Sequence, residues 1–403
     1  MNRKIASNLF KLVTGPSLGH VMTILITPFL AHHYSPKDFG DLAFLVALVA
    51  VFSVFSCLRF DAVLLACEDD EVNSSVTIGF SFLFLVSSLA FIASLFSEYE
   101  FSIELFISLS SISFVNLVNS YHLRFGRYGA ISIVKFIQSS SVPIFQLFSC
   151  VVNLEHGLIY AYVFASVVTA VLYLMFSYNT LTFGRCSYYI VSKYSGFVYQ
   201  NSLSVLVNAI SAQFLPLTLG LVAGKEFLGI VSFLNRVVVL PCLFILRLVI
   251  QVYNSEFSNK IRNNEIESAR KLYATFSIVP GILCMLYALS AYVMINYLIG
   301  YFVDDIWRNS FILLPPILIL LLFQGFTIPI SQSLSFLNGH NKQLTIELFR
   351  LGFLTFMFTI YYYALQDIAD GVDYIYTYTV IMTLYYILMH IFIRRSIYKG
   401  GLA

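Results

Sequence analysis

Charge is what this chain of 403 residues lacks most: Asp, Glu, Lys and Arg together make up 11% of it. An ordinary soluble domain carries about 25%, so the chain cannot cover a water-facing surface. No stretch is polar enough to form a separate soluble domain. The six cysteines are scattered, at 57, 67, 150, 186, 242 and 284, without metal-ligand spacing. They read as small apolar packers, and neither a disulfide nor a bound metal is expected. A leader cleavage site of the Ala-x-Ala kind is also missing after Arg3-Lys4, and the run that follows is too long for a signal core. That run is read as a retained first span. The net charge of +2 gives no ground for a nucleic-acid partner, and no cofactor is expected.

What is abundant is apolar length. The hydrophobic fraction is 59% and the mean hydropathy +0.83. Runs long enough to cross a bilayer, ~20 residues, occupy 9–31, 42–66, 76–96, 101–121, 131–152, 157–178, 201–223, 228–252, 273–299, 311–337, 344–365 and 374–393. The expectation is an all-α polytopic membrane protein with about twelve transmembrane helices. A β-barrel, whose strands alternate over ~10 residues, would not give continuous runs.

Lys and Arg in the short loops set the orientation. One set of connections holds Arg3, Lys4, Lys11, Arg124, Arg127, Arg185, Lys193, Lys260, Arg262, Arg270, Lys271, Lys342, Arg394, Arg395 and Lys399, and the other only Lys37, Lys225 and Arg308. Both termini are therefore expected in the cytoplasm.

A repeat organises the spans. Displaced by 188 positions, Pro28 falls on Pro216, Lys37 on Lys225, Asp38 on Glu226, Phe39 on Phe227 and Leu58-Arg59 on Leu246-Arg247. With an even number of spans in each half, the copies run the same way across the membrane, a parallel repeat found in several transporter folds. The expected organisation is an N-terminal six-helix bundle over 1–178, a cytoplasmic linker over 179–200, and a C-terminal six-helix bundle over 201–403, around a central cavity. Pro28 and Pro216 either act as helix hinges lining that cavity or simply kink their helices for packing.

An ionisable group inside a span normally faces a bundle interior. The candidates are Arg59, Asp61, Lys135, Arg236, Arg247, Glu347 and Arg350. Cations outnumber carboxylates among them, so a cavity built from them would prefer an anion. Arg59, Arg247 and Lys135 lie near the inner surface, where snorkelling to headgroups is the alternative. Glu347 and Arg350, at i and i+3, either balance other charges, carry a coupled proton, or pair with each other. Polar stripes run along Asn201, Ser204, Asn208 and Ser211, along Gln324, Thr327 and Ser331, and from Lys135 and Gln138 toward Gln146. They read as cavity linings or as interhelical hydrogen bonds. His32-His33 has no completing ligand set, and Glu68-Asp69-Asp70-Glu71 reads chiefly as a solvated loop whose Asp70, Asn73 and Ser74 cap the third span, the less favoured alternative being carboxylates that hold Mg²⁺ against a phosphate substrate.

The stretches Gly15-Pro16, Pro28-Phe29-Leu30, Tyr34-Ser35-Pro36-Lys37-Asp38-Phe39-Gly40, Leu58-Arg59-Phe60-Asp61 and Glu68-Asp69-Asp70 together resemble the amino-terminal signature of Wzx-type O-antigen flippases. These form part of the polysaccharide-transporter branch of the multidrug/oligosaccharidyl-lipid/polysaccharide exporter superfamily. Asn235-Arg236 leading to Pro241, Gln251-Val252-Tyr253, Asp304-Asp305-Ile306-Trp307-Arg308 and Ser331-Gln332-Ser333-Leu334 extend the resemblance over nearly the whole chain. Asp61 stands where that family usually has Glu, and loop 179–199 carries no placeable motif. The resemblance implies a transporter, not an enzyme. Its substrate would be an undecaprenyl-pyrophosphate-linked oligosaccharide, turned from the cytoplasmic to the periplasmic face of the bacterial inner membrane by alternating access. On that view Arg59, Arg236, Arg247 and Lys135 serve the pyrophosphate, Asn201, Asn208 and Gln213 the sugars, and Asp61, Glu347 and Arg350 coupling or charge balance. H⁺ and Na⁺ both remain open as coupling ions. The pathway's polymerase and chain-length regulator are the expected protein partners. The alternatives are a multidrug or lipid exporter of the same superfamily or, less favoured because the outer connections are short, an O-antigen polymerase-type membrane enzyme.

Overall fold

In a bilayer every backbone polar group needs an internal partner, so apolar runs of this length must become helices. The computed structural model describes residues 19–399 apart from 264, 303–306, 308–309, 338–339 and 366–369, and among the described residues there is no strand. Arg3, Lys4, Lys11, the Gly15-Pro16 pair, Asp304-Asp305-Ile306 and Arg308 lie outside the described residues, as does the side chain of Asn201.

Two compact units divide the chain, residues 1–34 with 41–217 and residues 35–40 with 218–403. The first unit holds α1 (19–33), all but the first turn of α2 (Pro36–Phe55), α3 (Phe60–Ala66), α4 (Val72–Phe96), α5 (Ser102–Arg124), α6 (Tyr128–Val151), α7 (Gly157–Ser177) and α8 (Tyr188–Ala212). α9 (Phe214–Val222) carries the chain onward. The second unit holds α10 (Gly224–Leu234), α11 (Leu240–Arg262), α12 (Ile266–Phe302), α13 (Ser310–Thr327), the single turn α14 (Ser333–Phe336), α15 (His340–Tyr363) and α16 (Gly371–Lys399). Among the described residues, ten helices are long and apolar enough to span a membrane, or eleven if the bent pair α8–α9 counts as one.

Among the described residues helices follow all twelve expected runs, but four of those runs are not continuous, the tenth passing through a 3-10 turn at Ile328–Ile330 before α14. The second is broken between α2 and α3 at Ser56–Arg59. The seventh bends by 48° at Gln213, with Pro216 three residues beyond. The eighth contains a π-helical turn, Asn235–Val239, between α10 and α11. Residues 179–200, expected as a linker, comprise a short non-helical piece and the first turns of α8.

Each unit is packed in the manner of a membrane protein. The interior of the first gathers Phe60, Val63, Leu64, Val76, Leu83 and Tyr121, and that of the second Tyr253, Phe257, Tyr273, Ile330, Met389 and Ile393. Small polar residues sit fully buried between helices, such as Ser75, Ser87, Ser108 and Ser113. Large apolar side chains point outward along α4, among them Phe84, Leu85, Leu89 and Phe96. Lipid is as apolar as leucine, so close packing of small residues, not flight from water, holds such helices together.

Candidate functional site

The α2–α3 break is the most irregular piece of the first unit. Leu58 and Arg59 both take left-handed backbone, with φ of 41° and 60°, a conformation costing non-glycine residues about 1–2 kcal/mol each. Strain of this kind persists where its surroundings impose it and is concentrated at functional sites. Arg59 thus stands at the N-terminal boundary of α3, not inside a continuous span as its sequence position suggested. Its Nη1 donates to Asp61 Oδ2 at 3.2 Å, and each side chain keeps 22% of its surface exposed. Leu58 and Phe60, the neighbours of Arg59, line an apolar cavity of about 420 Å³ together with Phe55, Phe82, Val198 and Leu206. That is within the size range of small-ligand pockets. A guanidinium beside an apolar hollow suits an amphiphile with an anionic head.

Below the break, Glu68, Asp69 and Glu71 of the acidic run are engaged. Glu68 and Glu71 form a reciprocal capping box around the turn before α4, so the cap lies there and not at Asp70, as expected from sequence. Lys193 Nζ on α8 donates to Glu71 Oε1 at 2.7 Å and Glu68 Oε1 at 3.1 Å, and Tyr194 Oη donates to Glu71 Oε2 at 2.7 Å. Arg124 spans the carbonyls of Leu64 and Cys67 and the Asp69 carboxylate. The hydrogen bonds from Lys193 to Glu71 and then to Glu68 push its pKa above the ordinary lysine range. Asn73 accepts from Thr182, and Gly184 N donates to the Asn73 carbonyl. This cluster ties the entry of α8 to α4, a structural role that takes up the acidic motif.

In the second unit the Tyr-Ser-Pro-Lys-Asp-Phe-Gly stretch acquires a physical account. Ser35 caps α2: Asp38 Oδ2 accepts from Ser35 N at 2.9 Å, and Asp38 N points back to Ser35 Oγ at 3.4 Å. Pro36 occupies the first helical position, where its missing N–H costs nothing. Phe39 is fully buried against Phe233 and Trp307, with ring centroids 6.3 Å and 5.3 Å away. Gly40 crosses α10 so closely that a Cβ there would overlap the Lys225 carbonyl oxygen, and one at Gly229 would overlap that of Pro36. Only glycine permits this approach.

Arg236 lies in the π-helical turn, its guanidinium 5.4 Å from the centre of the Phe39 ring. π-turns are frequent at functional sites; no sequence signal announces this one. The Arg236–Phe39–Trp307 arrangement joins three residues that the sequence presents far apart.

Glu347 and Arg350 pair with each other at 2.5 Å, with 10% and 7% of their side chains exposed. Tyr385 on α16 donates to Glu347 Oε1 at 2.8 Å, and its ring lies 4.7 Å beneath the Arg350 guanidinium. Gln324 and Thr327 on α13 reach Tyr386 on α16, while Ser331 of that stripe bonds back to the Ile328 carbonyl.

The other expected residues are dispersed. Lys135 is half-buried on α6, Arg247 is exposed on the unbroken α11, and Asn208 is exposed on α8 while Ser211 on that stripe is buried. Gln213 ends α8 at the bend. Pro28 lies within α1 and Pro216 within α9. Arg59 and Arg247, paired by the repeat, differ in backbone and exposure.

No protein-family model matches the sequence, and no curated protein matches it. Solved structures do match. An inward-facing multidrug resistance MATE family transporter of the MOP superfamily aligns with TM-score 0.75 and 15% identity, covering 95% of this chain and 96% of the other. An outward-facing multidrug resistance MATE family transporter gives 0.59 and 14%, covering 98% and 96%. A MATE structure in a bent conformation gives 0.55 and 16%, covering 96% and 93%. The chain shares the fold of these structures.

Proposed function

We propose that this protein is a flippase for an anionic, lipid-linked glycan, the undecaprenyl-pyrophosphate-linked O-antigen repeat unit being the substrate that the sequence resemblance favours. The observation carrying this reading is the α2–α3 break, where Arg59 sits beside an apolar cavity. A pyrophosphate cannot cross ~30 Å of hydrocarbon unaided. A planar guanidinium can hold it by two hydrogen bonds, while the adjoining apolar walls accept the first part of a lipid chain. Asp61 keeps Arg59 oriented until the anion replaces it. Solved relatives of the fold in inward-facing and outward-facing conformations support transport by alternating access. The proposed setting is the bacterial inner membrane with both termini in the cytoplasm, on the distribution of Lys and Arg. Asp61 and Glu347 are the carboxylates proposed for H⁺ or Na⁺ coupling or for charge balance, with Arg350 in the same role. Arg236, Arg247 and Lys135 are proposed to supply further positive potential, and Asn201, Asn208 and Gln213 to meet the sugars.

Complementation of a flippase-null strain tests the reading. Arg59→Gln should abolish lipopolysaccharide laddering at unchanged membrane protein level, and Arg59→Lys should restore part of it. Normal laddering from Arg59→Gln would overturn the proposal. The second reading is a multidrug exporter, favoured by the identity of the structural neighbours. It predicts drug hypersensitivity on deletion and no change in surface polysaccharide.

A further inference from the structure

α15 and α16 part in the second unit to leave an apolar groove of about 550 Å³, lined by Phe349, Phe353, Ile381, Leu384, Leu388 and Phe392. Arg350 and Tyr385 form its floor, and Glu347, bonded to both, cancels the guanidinium charge within the pair. The walls run from Ile381 to Phe392 along α16, roughly 16 Å at 1.5 Å per residue, about half of the ~30 Å hydrocarbon thickness. Positions 381, 385, 388, 392 and 395 repeat at helical spacing, so Arg395 continues the lining face by one turn. Arg394 lies beside it, and both arginines are exposed. A chain entering this groove would therefore present its head to two guanidinium groups at the end of α16.

We propose that the groove is a binding site for a membrane phospholipid with an anionic headgroup, one acyl chain lying between α15 and α16 and the phosphate resting on Arg394 and Arg395. Three observations select this occupant. The groove is one leaflet deep, which fits an acyl chain and is too short for a long isoprenoid. Its walls carry almost no polar surface beyond the self-neutralised floor, so a sugar finds no partners there. The positive charge sits at the mouth and outside the apolar part, the arrangement by which basic positions at helix ends select anionic lipids. The site is separate from the α2–α3 break and does not depend on what the protein transports.

The test is lipid retention by the purified full-length protein, reconstituted in nanodiscs of phosphatidylethanolamine with a minor fraction of phosphatidylglycerol and read by native mass spectrometry after transfer to detergent. Phosphatidylglycerol should be retained selectively. Each arginine near a membrane surface is worth about fivefold for an anionic lipid, so Arg394→Gln with Arg395→Gln should weaken retention roughly 25-fold. The double lysine variant should keep most of it. Leu384→Trp, which fills the groove and leaves both arginines in place, should also lose the lipid. Arg262→Gln, which removes an exposed charge at the end of α11, should have no effect. Equal retention of phosphatidylethanolamine, undiminished retention in the double glutamine or the tryptophan variant, or displacement of phosphatidylglycerol by undecaprenyl phosphate would overturn the assignment. Lipopolysaccharide laddering reports on the flippase reading alone, so either proposal can fail without the other.

Discussion

The chain contains two arginine–carboxylate pairs of similar composition and opposite circumstances. Glu347 and Arg350 stand one turn apart on an unbroken helix, 2.5 Å from each other and almost wholly enclosed, with Tyr385 clamping both. Arg59 and Asp61 stand at the start of α3, just past a helix break, 3.2 Å apart and each more than a fifth exposed, with Arg59 held on left-handed backbone. The first pair sits on an unstrained helix and ties α15 to α16, with Arg350 among the lining of the groove between them. The second is partly exposed, and its arginine is strained. Ion pairing inside a membrane protein is therefore not by itself a mark of a site. What distinguishes the two is backbone irregularity together with residual exposure.

Breaking the enclosed pair should give the largest effect. Arg350→Ala leaves a buried carboxylate without its partner and should lower stability by about 3–5 kcal/mol. Replacing both members with leucine should recover most of that loss, since the desolvation of both ions is then avoided. Thermal unfolding of the purified protein in detergent distinguishes these outcomes. A single alanine variant within about 1 kcal/mol of the parent would place this pair with ordinary exposed ones.

The open pair separates strain from function. Arg59→Gly accepts the left-handed backbone and relieves about 1 kcal/mol of strain, so the unfolding temperature should hold or rise slightly. Laddering should nonetheless disappear, because the guanidinium is gone. If Arg59→Gly both unfolded the protein and abolished laddering, the side chain would be structural, and the contrast between the two pairs would collapse.

A smaller effect is expected at the Lys193 cluster, which is ionic like the enclosed pair but open to water. Its raised pKa gives a definite sign. A group whose folded pKa lies above its unfolded value contributes stability below the unfolded pKa and loses it as pH rises through the folded one. Lys193 therefore stays charged through neutral and mildly alkaline conditions. Protease sensitivity of residues 179–187 should be flat from about pH 7 to pH 9, within the range below lysine's ordinary pKa. Lys193→Gln should raise it modestly at every pH in that range. A rise in the parent protein within this range would mean that another group controls the segment.

Much of this was legible in residue order, unevenly so. The Glu347–Arg350 pairing follows from i, i+3 spacing on a helix. The capping of α2 can be read from Ser35, Pro36 and Asp38. The break at Ser56–Arg59 contains neither glycine nor proline, so nothing local announced it. The π-turn around Arg236 was equally silent. The repeat matched Phe39 to Phe227 and implied equal surroundings for Arg59 and Arg247. The folded chain instead sets Gly40 against Gly229 and buries Phe39 with Phe233 and Trp307, because close helix crossing selects small residues wherever backbones meet, whatever the register of the repeat.

The sequence by itself determined the class, the number and approximate ends of the helices, and the asymmetry of charge between the two sets of loops. Those properties depend on composition summed over about twenty residues, and a sum tolerates any arrangement of its terms. Tertiary structure alone decided where spans break, which arginine–carboxylate pair stays partly exposed, and that α15 and α16 part to leave a groove. Each of these is settled by contacts between residues distant along the chain, where a difference of an ångström in packing selects between a straight helix and a strained turn.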